Sequence, residues 1–317
     1  MKNLYDGIIG LAIGDALGVP VEFQSRSEIA KNLVVSMREY GTHNQPMGTW
    51  SDDTSLTLAT VDSIVQCKTI DYADMMDKFS AWLLYGEYTA LGEVFDVGNS
   101  TSRAIMNYGR GMNPLECGGA SEYENGNGSL MRILPIAYYL CYHGGNDINR
   151  QMEVVHNVSA LTHKHSISLI GCGIYVKIAI KMISTRLTLR ECIAEGIQEA
   201  FAYYESVNFN DINRYCRLKN LNNFSNLPEN EIRSSGYVVD TLEAVVWCLL
   251  NTDSFKACVL KAVNLGDDTD TVGAITGGLG GIYYGLNDMP AEWLNKIARS
   301  EYIIELCRQF EIDKYEG

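Results

Sequence analysis

The chain has 317 residues, is 46% hydrophobic and carries a formal net charge of −14. Its apolar fraction is large enough for a sizeable core, and its length allows one large domain or two. The strong acidity disfavours a nucleic-acid-binding surface and a surface for anionic membranes.

Small residues mark the first predicted helix, which covers residues 4–19. Four glycines recur at spacings of three or four and therefore share one helix face: Gly7, Gly10, Gly14 and Gly18. Asp15 lies inside this apolar segment, where a charge is costly unless it is paired. The N-terminus contains neither a signal peptide nor a stop-transfer pattern, so a cytoplasmic location is expected.

A first acidic cluster follows a predicted loop over residues 24–50. Ser51 is a typical helix N-cap, and Asp52 and Asp53 fall in the first turn of the helix that it begins. Asp71 is predicted to cap the next helix, and Asn99 one that ends near residue 108.

The middle of the chain is predicted to be helical, with few signs of strand alternation. A Gly-rich loop over 109–129 comes first, and Thr188 with Glu191 forms a capping box further on. Residues 207–235 are rich in Asn and predict a surface excursion. The expected helices cover residues 130–142, 147–161, 166–183, 237–250, 254–264 and 291–310, and the helix that follows the Thr188 capping box includes Tyr204.

A second acidic cluster lies near the end of the chain. Asp267, Asp268 and Asp270 occur within four residues, and an uncharged, Gly-rich segment follows them over 272–286. That segment is too short for a membrane span and fits a buried helix. Its small residues predict close backbone packing against the first helix.

The two clusters share one design, a hydroxyl and carboxylates at the start of an apolar helix. If the helix starts face each other, four carboxylates would repel unless cations lie among them, and oxygen ligands suit Mg or Mn. Two such ions can activate water and hold the oxygens of a reacting centre. The alternative is that each cluster only caps its own helix.

Other motif interpretations are weaker. Residues 268–272 match the nucleophile loop of haloacid-dehalogenase-type phosphatases, but that loop follows a strand, whereas the segment before Asp268 predicts a helix. An EF-hand loop beginning at Asp268 would place Leu279 at its twelfth position, where Glu is required. The nine cysteines contain no CxxC pair and fit buried free thiols.

Seven motifs in order resemble those of the ADP-ribosylglycohydrolase family, which includes the dinitrogenase-reductase-activating glycohydrolase. They are GLAIGDALGVPVEF (residues 10–23), WSDDTS (50–55), FDVG (95–98), GNGSLMR (126–132), Thr162-His163, SGYVVDTLEA (235–244) and GDDTDT (266–271). The resemblance implies an all-α fold, a single-domain orthogonal multi-helix bundle over residues 1–317, with two divalent cations (Mg or Mn) in a cleft. The metal ligands that it implies are Ser51, Asp52, Asp53, Asp268, Asp270 and Thr271.

The same resemblance implies a catalytic set and a substrate site. Glu22 matches the family's mobile glutamate, and Glu22, Asp53 and Asp268 are the candidate catalytic carboxylates. Asp267 stands where many relatives carry Gly and is expected just behind the ligands. The implied substrate-binding residues are Asp96, Gly98, Gly126, Asn127, Gly128, Ser129, Leu130, Met131, His163 and Tyr237.

The GNGS loop opens a predicted helix and therefore offers backbone N–H groups to a diphosphate. A plain Gly-rich turn before a helix is the alternative. For His163, the alternative is a satisfied core histidine.

The implied function is metal-dependent hydrolysis that releases ADP-ribose from protein side chains, with ADP-ribosyl-arginine favoured and serine or small ADP-ribosides as alternatives. The expected partner is an ADP-ribosylated protein or an ADP-ribose-containing small molecule, without nucleic acid or membrane. A non-catalytic ADP-ribose binder or a toxin-immunity protein is the second hypothesis, and a phosphatase the third.

Overall fold

The computed structural model describes residues 2–145 and 147–313, and within them it contains helices and no β-strand. This confirms the all-α prediction. The helices are α1 (Leu4–Gly18), α2 (Arg26–Ile29), α3 (Asp52–Cys67), α4 (Tyr72–Tyr85), α5 (Asn99–Gly109), α6 (Leu134–His143), α7 (Ile148–Ala160), α8 (Ser166–Ser184), α9 (Leu189–Ser206), α10 (Leu221–Ser225), α11 (Val238–Leu250), α12 (Phe255–Val263), α13 (Thr269–Tyr284), α14 (Ala291–Leu294) and α15 (Ser300–Asp313). Short 3₁₀ turns join several of them, among them Gly41–His43 and Asn210–Lys219.

Helices α1 and α13 form the centre of the molecule, and their backbones touch through glycine. A Cβ atom on Gly14 would lie 2.0 Å from the carbonyl oxygen of Gly273, and one on Gly18 would lie 2.3 Å from the backbone nitrogen of Asp270. The hydroxyl of Thr269 also donates to the carbonyl of Gly18 at 2.8 Å. The predicted close packing of these two helices is confirmed, and it fixes the start of α13 against the end of α1.

One cluster of buried apolar side chains extends from α1 to α15, and six of the nine cysteines are buried free thiols within the fold. The single domain over residues 1–317 stays a prediction. Two segments, Leu4–Val21 and Ser166–Ser184, are long and apolar enough to cross a membrane, but 89% and 78% of their residues are buried inside the protein. Such burial is typical of core helices in a globular fold.

Three helix N-termini form as their capping residues predict. The Ser51 hydroxyl accepts from the Asp53 N–H, and the Asp71 carboxylate accepts from two N–H groups of α4. Thr188 and Glu191 form the reciprocal capping box of α9. The Asn99 cap is wrong: Asn99 is already helical, and Gly98 takes the cap position without a side-chain bond.

Two predicted helix boundaries are wrong for reasons of backbone geometry. Helix α6 begins at Leu134 rather than at residue 130, because Pro135 lacks an N–H and is tolerated only in the first turn of a helix. The helix expected over 291–310 is broken into α14 and α15. Arg299 takes a left-handed conformation (φ 48°) at the break, and the Ala298 N–H bonds to the Gly48 carbonyl.

Two of the three predicted long loops contain more structure than their composition predicts. In the segment 207–235, Ile212, Tyr215 and Leu218 are buried on one side of the 3₁₀ helix Asn210–Lys219. Their spacing of three matches the three residues per turn of a 3₁₀ helix, so these side chains align into the core. The loop 24–50 includes α2 and the Gly41–His43 turn, which reaches the candidate site.

Candidate metal centre and adjoining cavity

The two acidic helix starts meet. The hydroxyl of Thr271, in the first turn of α13, donates to Asp53 Oδ2 in the first turn of α3 at 3.4 Å. Carboxylate oxygens of Asp15, Asp53 and Asp270 lie within 4.8 Å of one another, and so do those of Glu22, Asp268 and Asp270. Residues more than two hundred positions apart in sequence therefore form one acidic centre.

Asp15 of α1 holds the start of α3 in place. Its carboxylate accepts from the Ser51 N–H at 2.9 Å, from the Thr54 N–H at 3.1 Å and from the Thr54 hydroxyl at 2.6 Å. Beside it, the Ser51 hydroxyl donates to Asp53 Oδ2 at 3.0 Å. The costly charge inside α1 is thus paired with the orphan N–H groups of α3, and Asp15 is a site residue that the sequence analysis did not nominate.

The centre concentrates negative charge, and its carboxylates are largely buried. Burial, followed by the charge of Asp15, raises the pKa of Asp53 well above its usual range. Burial, followed by the charge of Glu22, does the same for the pKa of Asp270. Three buried oxygens have no hydrogen-bond partner among the described residues: Asp53 Oδ1, Asp268 Oδ1 and Asp270 Oδ2.

Buried carboxylate oxygens without partners are expensive unless a cation compensates them. Oxygen-only donors of this kind match hard divalent cations. The donor set therefore fits the implied cofactor. The six predicted ligands lie at this centre, with Asp52 buried and facing the adjoining cavity.

Asp267 departs from its expected place. Its side chain is exposed, and its backbone takes a left-handed conformation (φ 61°). The backbone pairs with the segment after Glu22, since the Asp267 carbonyl accepts from the Phe23 N–H at 2.7 Å and its N–H donates to the Gln24 carbonyl at 2.8 Å. Asp267 thus links two loops through its backbone and adds no carboxylate to the acidic centre.

A cavity of about 470 Å³ opens beside the acidic centre. Its lining includes most of the predicted substrate-binding residues, namely Asp96, Gly98, Gly126, Asn127, Gly128, Met131 and His163, together with Glu22, Asp52, Asp268 and Thr271 of the centre itself. Asn127 connects the two parts, because its amide donates to Asp268 Oδ2 at 2.7 Å. Phe23 and Tyr123 also line the cavity, and their exposed rings were not nominated from the sequence.

Three of the predicted substrate residues direct their side chains elsewhere. Ser129 and Leu130 are fully buried, and the Ser129 hydroxyl accepts from the Ser159 hydroxyl at 2.9 Å in the core. Tyr237 is half-buried and does not line the cavity, but its neighbour Gly236 does. The Gly236 carbonyl accepts from the Asn127 N–H at 3.0 Å, so this segment supports the GNGS loop through its backbone.

His163 lies at the cavity wall in a fixed orientation. A Cβ atom on Gly128 would lie 2.9 Å from its Cε1 atom, so glycine is needed there for the ring to approach. The fully buried guanidinium of Arg132 donates to the Thr162 hydroxyl at 2.7 Å, and that hydroxyl lies 2.9 Å from His163 Nδ1.

A guanidinium can only donate, so the Thr162 hydroxyl accepts from it and has its own proton free for Nδ1. Burial, followed by the positive charge of Arg132, lowers the pKa of His163 to about 3, which keeps the ring neutral. Nε2 then carries the proton. His163 therefore offers a hydrogen-bond donor toward Gly126 and Gly128. A Cβ atom added to either glycine would lie 3.5 Å from Nε2.

Glu22 stands between the acidic centre and His43. Burial raises its pKa to about 7, against the hydrogen bond from His43 that lowers it. The His43 ring bonds directly to Glu22 Oε2, and that bond raises the pKa of the imidazole. His43 comes from the long loop and matches none of the sequence motifs, so only the structure identifies it as part of the site.

Known proteins resemble this chain over nearly its whole length. Residues 2–316 match the family model for ADP-ribosylglycohydrolase. The chain is 32% identical over 308 residues to ADP-ribosylarginine hydrolase Tri1 of Serratia proteamaculans (strain 568), covering 95% of this chain and 77% of that protein. It is also 32% identical over 301 residues to ADP-ribosyl-[dinitrogen reductase] glycohydrolase of Rhodospirillum rubrum, covering 91% and 88%.

A solved structure described as an ADP-ribosylglycohydrolase-related protein complex superposes with a TM-score of 0.77 at 27% identity. The superposition covers 98% of this chain and 97% of that chain. The chain therefore belongs to the ADP-ribosylglycohydrolase family.

Proposed function

We propose that the protein hydrolyses the bond between ADP-ribose and a protein side chain, with ADP-ribosyl-arginine as its preferred linkage and two Mg or Mn ions as cofactors. The carrying observation is the meeting of Asp53 and Asp270 beside a cavity whose lining includes residues of the GNGS loop and His163. Two relatives named for ADP-ribosylarginine and ADP-ribosyl-dinitrogen reductase hydrolysis support this substrate class. We further propose a cytoplasmic location.

In this proposal the cavity takes the ADP-ribose group, and 470 Å³ is within the range of small-molecule sites. The diphosphate lies against residues 126–128, whose backbone can approach an anion closely because two of the three residues are glycine. His163 donates its Nε2 proton to a phosphate or ribose oxygen. The distal ribose faces the acidic centre, where its hydroxyl groups find carboxylate acceptors.

Hydrolysis joins a water oxygen to the anomeric carbon, breaks the bond from that carbon to the arginine nitrogen, and returns a proton to the nitrogen. One carboxylate removes a proton from the attacking water, and a carboxylic acid donates a proton to the leaving nitrogen. Glu22, Asp53 and Asp268 are the candidates. A pKa of about 7 allows Glu22 to take up or release a proton near neutral pH.

The transition state of such a bond cleavage carries positive charge on the ribose ring, which the buried carboxylates stabilise electrostatically. Ser51, Asp52, Asp53, Asp268, Asp270 and Thr271 would hold the two cations. When bound, Mg or Mn would supply Lewis-acid polarisation and orient oxygen groups of the substrate. Asp15 keeps the α3 residues of this set in place through its three hydrogen bonds.

The test is release of ADP-ribose from arginine- and serine-modified proteins, with Mg, with Mn and with EDTA. We expect Mg- or Mn-dependent release from the arginine substrate, and its loss in Asp53→Asn and Asp270→Asn. Asp267→Asn is a matched control, because it removes an exposed carboxylate from the same stretch and Asn tolerates a left-handed backbone. Full activity in EDTA, or in both centre variants, would contradict the proposal.

The same assay separates the alternatives. A non-catalytic binder would bind ADP-ribose in a calorimeter without turning over any modified protein. A phosphatase would hydrolyse phosphate esters and become phosphorylated on Asp268.

A further inference from the structure

A second possible cation site lies at the rim of the cavity, where Glu22, His43 and Asp96 meet. These residues come from three separate segments, after α1, in the Gly41–His43 turn and before α5. One ligand atom from each lies within 4.8 Å of the others. Glu22 and Asp96 line the cavity, and the His43 side chain is 14% exposed, so an ion could reach the cluster.

The His43 turn is held against Glu22 independently of any ion. The Thr42 hydroxyl donates to the Glu22 carbonyl at 2.7 Å. A Cβ atom on Gly41 would lie 2.0 Å from the Pro20 carbonyl oxygen, so the turn rests directly on the 3₁₀ turn Val19–Val21 that follows α1. The imidazole is flanked by Phe23 and Phe95, with ring centroids 6.0 and 5.2 Å away. The ligand groups are therefore ordered in advance.

The donor chemistry of this cluster differs from that of the acidic centre. An imidazole nitrogen with two carboxylates is a ligand set typical of zinc and of neighbouring transition metals, whereas Mg prefers oxygen donors and water. Glu22 and Asp96 also repel each other, since the charge of Asp96 disfavours the ionised form of Glu22. A divalent ion would compensate both carboxylates at once.

Glu22 is shared between the two sites. Its carboxylate lies within 4.8 Å of His43 and Asp96 on one side and of Asp268 and Asp270 on the other. We propose that Glu22, His43 and Asp96 bind a borderline divalent ion such as Zn²⁺, and that this ion occupies the Glu22 carboxylate, which is then unavailable to the reaction, and so inhibits the enzyme. The inhibition rests on the proposed function, but the binding of the ion does not.

Zinc binding is measured by calorimetry on the full chain in a large excess of Mg, which keeps hard-ion sites filled. We expect one zinc per wild-type chain that Mg does not displace, and at least ~10-fold weaker binding in His43→Gln and in Asp96→Asn. His143→Gln is the matched control, since it removes an exposed imidazole in α6. Far-UV circular dichroism confirms that each variant is folded.

A second readout follows the His43 ring, whose ¹⁵N resonances should shift on addition of zinc but not of Mg. In the activity assay, zinc should inhibit the wild type at lower concentration than it inhibits His43→Gln. Zinc binding that is unchanged in His43→Gln, or that Mg displaces fully, would overturn the proposal. An inactive wild type would count against the proposed function alone, because the calorimetry needs no substrate.

Discussion

Asp15 offers the clearest test of how α1 and α3 are joined. Its substitution by Ala removes the acceptor for two backbone N–H groups and one hydroxyl, all in a fully buried position. Each buried donor left without a partner costs about 1–3 kcal/mol, although the Thr54 hydroxyl can rotate toward another acceptor. The gross loss of unfolding free energy is therefore about 3 kcal/mol.

The negative charge of Asp15 has the opposite effect on the free energy of unfolding. Burial raises the pKa of Asp15 to about 7, so removal of this carboxylate at neutral pH also removes an unfavourable charge from the centre. We expect a net loss of about 2 kcal/mol for Asp15→Ala. Asp15→Asn keeps one acceptor oxygen without the charge and should lose less than half as much.

The assay is guanidinium unfolding followed by circular dichroism in EDTA, which keeps cation binding from contributing to the measured stability. The order wild type, Asn, Ala in falling stability is the expected result. An Ala variant as stable as the Asn variant would refute the hydrogen-bonding role. Both variants should also bind Mn more weakly, because Asp15 positions the backbone of Ser51 and adds negative charge.

Three further predictions address the hydrogen bonds that orient His163, the buried carboxylates and the packing of α1 on α13. Thr162→Val removes the hydroxyl that links Arg132 to His163 and should weaken ADP-ribose binding in calorimetry about 10-fold, whereas Thr162→Ser keeps that hydroxyl and should bind as the wild type does. Without cations, thermal unfolding should show stability falling as pH rises from about 4 to 7, because folded Asp15 and Glu22, with pKa values of about 7, keep protons that the unfolded chain releases. Added Mg or Mn should flatten that profile; a stability that rises with pH in EDTA contradicts the assignment. Gly14→Ala should cost at least ~3 kcal/mol of unfolding free energy, since its Cβ would lie 2.0 Å from a backbone oxygen, whereas the α5 control Gly109→Ala meets nothing within 4 Å and should leave stability unchanged or higher.

Local chemistry made the helices and their caps predictable from sequence. Ser51, Asp71 and Thr188 each supply a side-chain oxygen where N–H groups need an acceptor, and that need arises within a few residues. The glycine spacing of α1 and α13 predicted their close approach for the same reason, since a face without side chains is visible in the sequence. The resemblance to one family then supplied the residue sets that chemistry alone left open.

Single contacts between residues that are far apart in the sequence could not be predicted from it. His43 stands in an irregular loop, and only the seating of its turn on Pro20 brings it to Glu22. Asp15 could be expected to need a partner, but nothing local shows that the partner is the start of α3. Asp267 looked like a member of the acidic cluster, yet a left-handed backbone turns its side chain to solvent.

Manganese binding tests the acidic centre most directly, by calorimetry for stoichiometry and by electron paramagnetic resonance for coupling between ions. We predict two ions per chain with a coupled spectrum in the wild type and in Asp267→Asn, and loss of the coupled spectrum in Asp53→Asn and Asp270→Asn. One isolated ion in the wild type, or an equal loss in all three variants, would contradict a paired cation site between α3 and α13.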